Sequence, residues 1–521
     1  MKRLLIYLFI LMLLAECHMD IPVVPTASFT VQNNNCAVPC EVSFTSTAQN
    51  VSSYRWDFGD GQTSSDANPK HTYTQAGTYS IKLIAKGEGG NVGSTQSVKV
   101  QAGIPQKVWD KSFGGSAEDK LNIIIPTADG GYLLGGNSYS NISAEKSENS
   151  KGNSDYWVIK IGLNGEKQWD RTLGGAGEEG LASIVSTSDG GFLLAGASAS
   201  DISGDKSENS RGGLDYWIVK IGSNGTKQWD KTLGGNSTEY LASIIATTDG
   251  FLIAGSSASD ASWEKSENSK GSFDCWIVKL GANGAKQWDK TFGGSAEDVV
   301  RSIVATTDGG FLFGGRSFSN ASGDKSENGR GICDWWIIKI GASGVKLWDK
   351  TFGGSEWEES CSITPTTDGG ALLVGPSGSN ASGDKSENNK GGFDCWIVKI
   401  GANGVKQWDK TFGSLEWDWL DSSIATLDGG FLLGGWSASN AFGDKSENSR
   451  GGTDYWILKI DANGAKQWDK TFGGIGDDAI NSICVSVDRG FLLGGVSTSS
   501  ASGDKSSPNY GDKDYWVIKI R

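Results

Sequence analysis

The chain has 521 residues, including 75 glycines and 21 tryptophans, and its 47 basic and 61 acidic residues give a net charge of −14. Nucleic-acid binding requires a basic face, so this acidic balance excludes DNA and RNA as expected partners. The only histidines are His18 and His71, which excludes Ser-His-Asp, Cys-His and His-ligated metal chemistry from everything that follows them.

The first 17 residues are organised as an export signal. Two basic residues precede an apolar run, Leu4 to Ala15, that is too short to span a bilayer stably. The run ends in Leu-Leu-Ala-Glu-Cys, which resembles a bacterial lipobox and implies lipidation of Cys17, although Glu16 stands where that motif has a small residue. A plain secretory signal is the alternative. We therefore expect export, as an outer-membrane or cell-surface lipoprotein held to the membrane only by lipid, or as a secreted protein.

After a linker at 18–25, residues 26–101 form short runs of alternating apolar and polar residues, a pattern typical of a β-sandwich. The segment contains WDFGDG, NPKHTY and AGTYSIKL, and it resembles a PKD domain, an immunoglobulin-like module of secreted bacterial proteins. The first motif predicts Trp56 and Phe58 in the core beside a tight polar turn. The resemblance implies a spacer or adhesive module in which His71 has a structural role.

The cysteines are too sparse and irregular to predict a disulfide framework or a metal cluster. Cys36 and Cys40 lie four residues apart, and they either form a disulfide or remain two partly buried thiols. Five others do not recur from repeat to repeat, and we expect them to be buried as small apolar residues. These five are Cys275, Cys333, Cys361, Cys395 and Cys484.

After a second linker at 102–106, residues 107–521 repeat with a period of 60, and one unit is a residue shorter because it has a single glycine after Asp249. A fixed long period predicts a propeller or a solenoid. Each unit contains a WDK or WDR motif and a second tryptophan. The tryptophans of the motif are Trp109, Trp169, Trp229, Trp288, Trp348, Trp408 and Trp468. The second tryptophans are Trp157, Trp217, Trp276, Trp336, Trp396, Trp456 and Trp516.

One unit predicts four antiparallel strands, which we name a, b, c and d in chain order. They are Leu181–Thr187, Phe192–Ser198, Asp215–Ile221 and Lys227–Leu233. Asp-Gly and Asn-Gly pairs join a to b and c to d, because both residue types accept the positive φ of tight hairpins. Strands a to c have apolar residues on both faces, and the more polar strand d fits an outer edge. Four such strands make one propeller blade.

The repeat region begins with a lone d strand and ends with a c strand, so the first d completes the last blade. This predicts an all-β protein with a seven-bladed β-propeller after the immunoglobulin-like β-sandwich; a linear solenoid would need polar caps instead. The c–d hairpin, Trp217 to Trp229, resembles the tryptophan-docking hairpin of quinoprotein-type propellers. That likeness implies no quinone cofactor, and those enzymes usually have eight blades.

The long b–c and d–a loops share one face of such a propeller, which is the expected binding face. A b–c loop offers oxygens at Asp205, Ser207, Asn209 and Asp215, which resemble the start of a calcium loop. Two neighbouring cations, Lys206 and Arg211, favour local turns instead. We therefore expect no cofactor, with calcium as the open alternative.

Six tryptophans break the symmetry of the repeats. We expect Trp335 in the core, Trp263 in a b–c loop, and Trp436 after a b strand. The other three, Trp357, Trp417 and Trp419, are predicted in d–a loops among acidic residues. Exposed aromatic rings in such a setting stack on sugars or anchor a protein partner. The alternative is that these rings fill the space between blades. The candidate ligand-binding residues are Trp357, Glu358, Glu416, Trp417, Asp418, Trp419 and Trp436.

These features predict a non-enzymatic exported binding protein, in which a PKD spacer carries a propeller that binds an envelope or extracellular protein or polysaccharide. No catalytic residue is predicted, because nearly all carboxylates recur in every unit. The competing hypotheses are a glycoside hydrolase that uses Glu416 with Asp418 or Asp421 as acid and base, and a purely structural surface protein.

Overall fold

The computed structural model describes residues 22–38, 40–74, 76–101 and 103–521. The chain divides between Gly103 and Ile104 into two compact units. Every element of the described residues is a β-strand, so none of them forms a helix long and apolar enough to cross a membrane. The lipobox-like sequence with Cys17 lies outside the described residues.

The first unit is the expected immunoglobulin-like sandwich of two sheets. One sheet has the order β1-β3-β6 and the other β2-β8-β7-β4-β5. The strands are β1 (Phe29–Gln32), β2 (Asn35–Ala37), β3 (Cys40–Ser46), β4 (Ser53–Asp57), β5 (Thr63–Ser64), β6 (Lys70–Tyr73), β7 (Gly77–Gly87) and β8 (Gly90–Gln101).

The core of the sandwich confirms the interpretation of the WDFGDG motif. Trp56 and Phe58 are both buried, and the Trp56 indole donates to the Asp66 carbonyl at 2.8 Å. The ring of His71 stacks on Phe58 with centroids 4.3 Å apart and lies 2.7 Å from the carboxylate of Asp60. This histidine is therefore part of the packing. Of the two states left open for the first cysteine pair, the structure has the disulfide between Cys36 and Cys40.

The second unit consists of seven four-stranded sheets. Blade 1 contains β10 (Asp119–Pro126), β11 (Tyr132–Ser138), β12 (Asp155–Ile161) and β13 (Lys167–Leu173). Blade 2 contains β14 (Glu179–Ser186), β15 (Phe192–Ser198), β16 (Asp215–Ile221) and β17 (Lys227–Leu233). Blade 3 contains β18 (Glu239–Thr247), β19 (Gly250–Ser257), β20 (Asp274–Gly281) and β21 (Lys286–Phe292).

The remaining blades follow the same plan, except that the last one takes its d strand from the start of the unit. Blade 4 contains β22 (Asp298–Ala305), β23 (Phe311–Ser317), β24 (Asp334–Ile340) and β25 (Lys346–Phe352). Blade 5 contains β26 (Ser362–Pro365), β27 (Ala371–Ser377), β28 (Asp394–Ile400) and β29 (Lys406–Phe412). Blade 6 contains β30 (Asp418–Ala425), β31 (Phe431–Ser437), β32 (Asp454–Ile460) and β33 (Lys466–Phe472). Blade 7 contains β34 (Asp478–Val485), β35 (Phe491–Ser497), β36 (Asp514–Ile520) and β9 (Lys107–Phe113).

The predicted b, c and d strands of blade 2 match the structure residue for residue, but strand a begins two residues earlier, at Glu179. A glutamate is an unusual first residue for a buried strand. It fits here because Ser198 and Ser200 donate to its carboxylate at 2.7 and 2.5 Å. Strand d is also less exposed than predicted, since Asp230 and Thr232 are buried.

Each blade packs on both of its neighbours through alternate faces of its strands. In β16, Trp217 and Val219 join a cluster with blade 1, whereas Tyr216 and Ile218 join a cluster with blade 3. The unpaired cysteines that the sequence predicts to be apolar are all buried, Cys275 and Cys395 in the positions of the repeat tyrosines. Trp335 is likewise fully buried and stacks on Trp396 of blade 5 at 4.8 Å.

The ring closes where the sequence predicts it. β36 pairs antiparallel with β9, so that Trp516 lies opposite Ser112 and Lys519 opposite Trp109. Tyr515 of the last blade also shares a cluster with Trp157 of the first. The N-terminal strand of the unit is therefore the outer strand of its last blade.

A propeller that begins at Ile104 should unfold in one cooperative transition, whereas one that begins at Gly114 lacks β9 and leaves β36 as an uncovered edge. We expect the shorter chain to lose that transition in calorimetry, and a synthetic peptide of residues 104–114 to restore it in trans. Equal melting of the two chains without the peptide would contradict this account of closure.

Candidate functional site

A cavity of about 890 Å³ lies at the centre of the ring and is lined by the a strands of all seven blades. Serine recurs at one lining position in six of the blades, where blade 1 has Ile123. The six hydroxyl side chains belong to Ser183, Ser243, Ser302, Ser362, Ser422 and Ser482.

The position before this one forms a β-bulge in blades 1 to 4, 6 and 7, because the register between strands a and b shifts there. A bulge adds one residue to a strand and turns its side chain away from the regular alternation. These bulge residues line the cavity, and they differ from blade to blade. They are Asn122, Ala182, Ala242, Arg301, Asp421 and Asn481.

The charged lining residues are concentrated on blades 4 to 6. Asp421 accepts a hydrogen bond from Ser360 at 3.4 Å and lies 3.7 Å from the guanidinium of Arg301. Arg316 is more tightly held, with one nitrogen 2.7 Å from Glu359 and another 3.0 Å from Glu297. An otherwise repetitive ring thus has one asymmetric group of ionic side chains at its centre.

Blade 5 is irregular where it contributes to this group. Its a strand starts only at Ser362, and Cys361 is buried in the packing with blade 4 instead of occupying a bulge. Two sequence changes account for this. Pro376 of β27 has no N–H to donate to strand a, and Ser360 replaces the buried aliphatic residue of other blades. Ser360 therefore lines the cavity.

An aromatic surface adjoins Asp421. The rings of Trp419 and Trp436 lie nearly parallel, 7° apart, with centroids separated by 5.9 Å, and the Trp419 indole donates to Asp421 at 3.4 Å. Burial raises the pKa of Asp421 above its ordinary value, and the nearby Arg301 and the Trp419 hydrogen bond only partly oppose this. Both tryptophans lie in strands, at the ends next to the long loops, whereas the sequence predicts Trp419 in a d–a loop and Trp436 after strand b.

The structure brings only part of the predicted site together. Trp419 lines the cavity and Trp436 stacks on it. Trp417 and Glu416 lie outside on the preceding loop, and Trp417 is 52% exposed. Trp357 is half-buried against Phe318, and Trp263 lies in the blade 3 loop that the sequence predicts, 72% exposed.

Glu358 and Asp418 are fully buried. Asp418 begins strand a of blade 6, and Glu358 holds the equivalent position ahead of the shortened a strand of blade 5. Every blade has an acidic residue at this position. Glu358 accepts hydrogen bonds from the Gly354 amide at 2.8 Å and the Ser377 hydroxyl at 2.7 Å. Asp418 similarly accepts from the Ser414 amide at 2.6 Å. These two carboxylates therefore hold the d–a loop in place and do not face the cavity.

The oxygens of the proposed calcium loop bind different partners. Asp205 accepts from Lys151 of blade 1 at 2.5 Å, Asn209 accepts from the Ile202 amide at 3.0 Å, and Asp215 accepts from the Arg211 amide at 2.6 Å. The Ser207 amide donates to Asp230 at 2.9 Å. Across the described part of the chain, no three His, Cys, Asp or Glu side chains are grouped so as to hold a metal ion.

In each blade, the acidic residue at the position of Asp418 faces the aspartate that begins strand c of the preceding blade. One oxygen of that aspartate is buried without a hydrogen bond in every blade. Burial, followed by the neighbouring carboxyl, raises the pKa of Asp274, Asp394, Asp454 and Asp514 to about 6. The pairs are Asp155–Glu179, Asp215–Glu239, Asp274–Asp298, Asp334–Glu358, Asp394–Asp418, Asp454–Asp478 and Asp514–Asp119.

Sequence reasoning missed Arg301, Arg316, Glu359 and Ser360 because it searched for unusual tryptophans. A usable signal was present. When the seven units are aligned, the bulge position reads Asn, Ala, Ala, Arg, Cys, Asp and Asn, whereas the serine after it is almost invariant. A bulge position that changes its chemical class from blade to blade, next to a serine that hardly changes, is one at which the fold tolerates different side chains.

Comparison with known proteins identifies the first unit: the PKD domain family model matches residues 20–102. An 87-residue stretch is 34% identical to the pre-pro-metalloprotease PrtV of Vibrio cholerae and covers 16% of this chain and 10% of that protein. PKD domains occur in extracellular bacterial proteins such as PrtV, and a PKD domain with a β-propeller suggests an extracellular binding or scaffold role.

The propeller region has more distant relatives. Regulatory protein FlaEY of Caulobacter vibrioides is 23% identical over 398 residues, which are 69% of this chain and 40% of FlaEY. The chain thus spans less than half the length of these two relatives. Among solved structures, the WD40 domain of Neurospora crassa Pan2 is 9% identical with a TM-score of 0.41, covering 78% of this chain and 89% of that one.

The buried carboxyl pairs predict an unusual pH dependence of stability. Asp394 holds its proton up to about pH 6 in the folded chain but releases it near its ordinary value of 3.8 when unfolded. Between pH 3.8 and about 6, the folded state therefore binds more protons than the unfolded state. The contribution of this carboxyl to the free energy of unfolding consequently falls as the pH rises towards 6. Asp394→Asn supplies a neutral side chain whose amide can donate to Asp418. We expect it to raise the free energy of unfolding by about 2 kcal/mol at pH 8 and by less at pH 4.5.

The matched control is Asp409→Asn. Burial raises the pKa of Asp409, but hydrogen bonds from Lys406, the Ser386 amide and Trp396 outweigh it and leave the pKa lowered. This control should lose stability at both pH values in urea unfolding. A loss of stability at pH 8 in Asp394→Asn would contradict the account of the pairs.

Proposed function

We propose that this chain is an exported, non-enzymatic binding protein in which the PKD domain is a spacer and the propeller binds a glycan or protein at its loop-bearing face. Anchoring through a lipid on Cys17 at the outer membrane or cell surface belongs to the same proposal. The PKD match and the matching segment of a pre-pro-metalloprotease support export.

One observation supports the location of the binding site. The residues that differ most between blades converge on the loop-side end of the central cavity, where Trp419, Asp421, Arg301 and Arg316 lie together. Ligand sites are concave, have aromatic walls and contain a few convergent polar groups. The cavity falls within the size range of such sites, and its aromatic and acidic groups match the general requirements for stacking on a sugar ring and bonding its hydroxyls.

Binding without turnover is the function that the contacts favour. Only two carboxylates line the cavity, Glu359 and Asp421. Glu359 is held in an ion pair with Arg316, and Asp421 contacts Ser360, Trp419 and Arg301. The hydrolase hypothesis pairs Glu416 with Asp418 or Asp421, yet Asp418 is fully buried and Glu416 does not line the cavity that Asp421 lines.

The binding proposal predicts a large effect of the two stacked tryptophans. On an array of bacterial and plant polysaccharides, with envelope-protein extracts as a second source of ligand, Trp419→Ala/Trp436→Ala should weaken binding by about thirtyfold, as expected for an aromatic hot spot. Trp263→Ala is the matched control, because this ring is exposed in the b–c loop of blade 3. Unchanged binding by a folded double variant would argue against the cavity site.

The non-enzymatic proposal is tested separately by incubating the wild-type chain with every polysaccharide that it binds and measuring reducing ends. We expect none to form above the level of a heat-denatured sample. Release of reducing ends that Asp421→Asn abolishes would favour the glycoside hydrolase hypothesis instead.

A further inference from the structure

We infer that the cavity binds an acidic sugar residue of a polysaccharide, with the uronate carboxylate on Arg301 and the sugar ring against Trp419. This inference rests on the proposed function and names its ligand class. It follows from the difference between the two arginines of the cavity, from the charge of the lining and from the groups around the aromatic ring.

The first step concerns the engagement of the two arginines. Arg316 has carboxylates on two of its nitrogens at 2.7 and 3.0 Å, so its charge is already neutralised within the protein. The side chain of Arg301 is 61% exposed, and its one ion pair among the described residues is the 3.7 Å contact with Asp421. A guanidinium has five N–H donors in a planar fork. Arg301 therefore presents unused donors to the cavity.

The second step concerns the charge that a ligand meets. The whole chain has a net charge of −14, which disfavours an anion at most of its surface. The cavity lining itself is less acidic, because it has two arginines against two carboxylates, Glu359 and Asp421, and Glu297, the second partner of Arg316, is not part of it. A carboxylate is the anion that matches the free fork of Arg301, since the two groups form paired hydrogen bonds. The cavity is thus a local site for an anion on an acidic protein.

The third step concerns the rest of the ligand. The half-buried indole of Trp419 stacks on Trp436 and contacts Phe393, and its remaining apolar surface lines the cavity with the carboxylate of Asp421 beside it. A sugar ring has an apolar face of C–H groups and hydroxyls at its rim, so it suits this arrangement. The serines around the cavity, including Ser362 and Ser422, supply further donors and acceptors for hydroxyl groups. A sugar presents hydroxyls all around its ring to these serines, whereas a peptide carboxylate on Arg301 meets them only through its backbone amides and polar side chains.

The experiment compares matched acidic and neutral oligosaccharides by calorimetry on the full chain. The probes are tetramers of galacturonate and mannuronate, the methyl ester of the first, and a neutral cello-oligosaccharide. We expect the wild type to bind at least one acidic tetramer about tenfold more tightly than the uncharged sugars, because a charge-assisted bond is lost without the carboxylate. The preference should weaken as salt is raised.

Variants assign the effect to one side chain. Arg301→Gln should abolish the preference, so that the acidic tetramer binds no more tightly than its methyl ester, and Arg301→Lys should keep part of the preference. The control Arg171→Gln removes a charge from strand d of blade 1 and should change nothing. Circular dichroism and the melting temperature verify that each variant is folded.

The outcomes separate this inference from the function on which it rests. Tight binding of the neutral sugar, or of acid and ester alike, overturns the uronate inference and leaves a glycan-binding protein. Binding of none of the four sugars overturns it too, and if envelope proteins are then captured in a Trp419-dependent way, the ligand is a protein. Loss of the preference in Arg171→Gln would place the anion outside the cavity and would also overturn it.

Discussion

Every blade of the propeller depends on one hydrogen bond, from the indole of the c-strand tryptophan to the aspartate of the d-strand WDK or WDR motif. In blades 1 to 5 the distance is 3.0 Å. The same aspartate accepts an amide of the b–c loop, such as Ser147 on Asp170 at 3.0 Å. A buried charge-assisted bond of this kind is strong, and its loss would remove one of the few donors that satisfy the buried carboxylate. It ties strand c, strand d and the long loop together, and between Trp516 and Asp110 it also closes the ring.

The other residues of the repeat connect one blade to the next. The motif tryptophan packs on a glycine of the following c–d turn, and a methyl group at Gly225 would lie 2.9 Å from the Trp169 ring. This glycine has a φ of 80°, so the turn conformation and the close approach both require it. Buried lysines, such as Lys206 near Asp215 and Glu179, lie beside the carboxyl pairs. Each such lysine offsets part of the negative charge of the carboxyl groups around it.

These contacts explain which features the sequence could predict. Strands b, c and d were predicted to the residue in blade 2 because their alternation and their Asp-Gly and Asn-Gly turns are local signals. The start of strand a was missed because Glu179 is buried only through contacts with residues of another strand and loop. The bulges were missed for a related reason, since an extra residue in a strand is apparent only against its pairing partner. Of the candidate site, Trp419 and Trp436 were found, but their strand positions and their proximity to Arg301 needed the fold.

The repetition itself shows where specificity can reside. A residue that packs between blades is constrained from both sides, so tryptophan, aspartate and lysine recur there with little change. The loop oxygens recur for the same reason, because they are used inside the protein, as Asp205 is with Lys151. A bulge side chain lies at the central cavity and meets the next blade only at its edge, as when Asn122 donates to the Leu181 carbonyl at 2.7 Å, so replacing alanine by arginine or aspartate costs little packing energy. The cavity lining therefore differs from blade to blade, and its charged residues all lie on blades 4 to 6. The symmetric positions maintain the ring, and its asymmetric positions provide the means to discriminate between ligands.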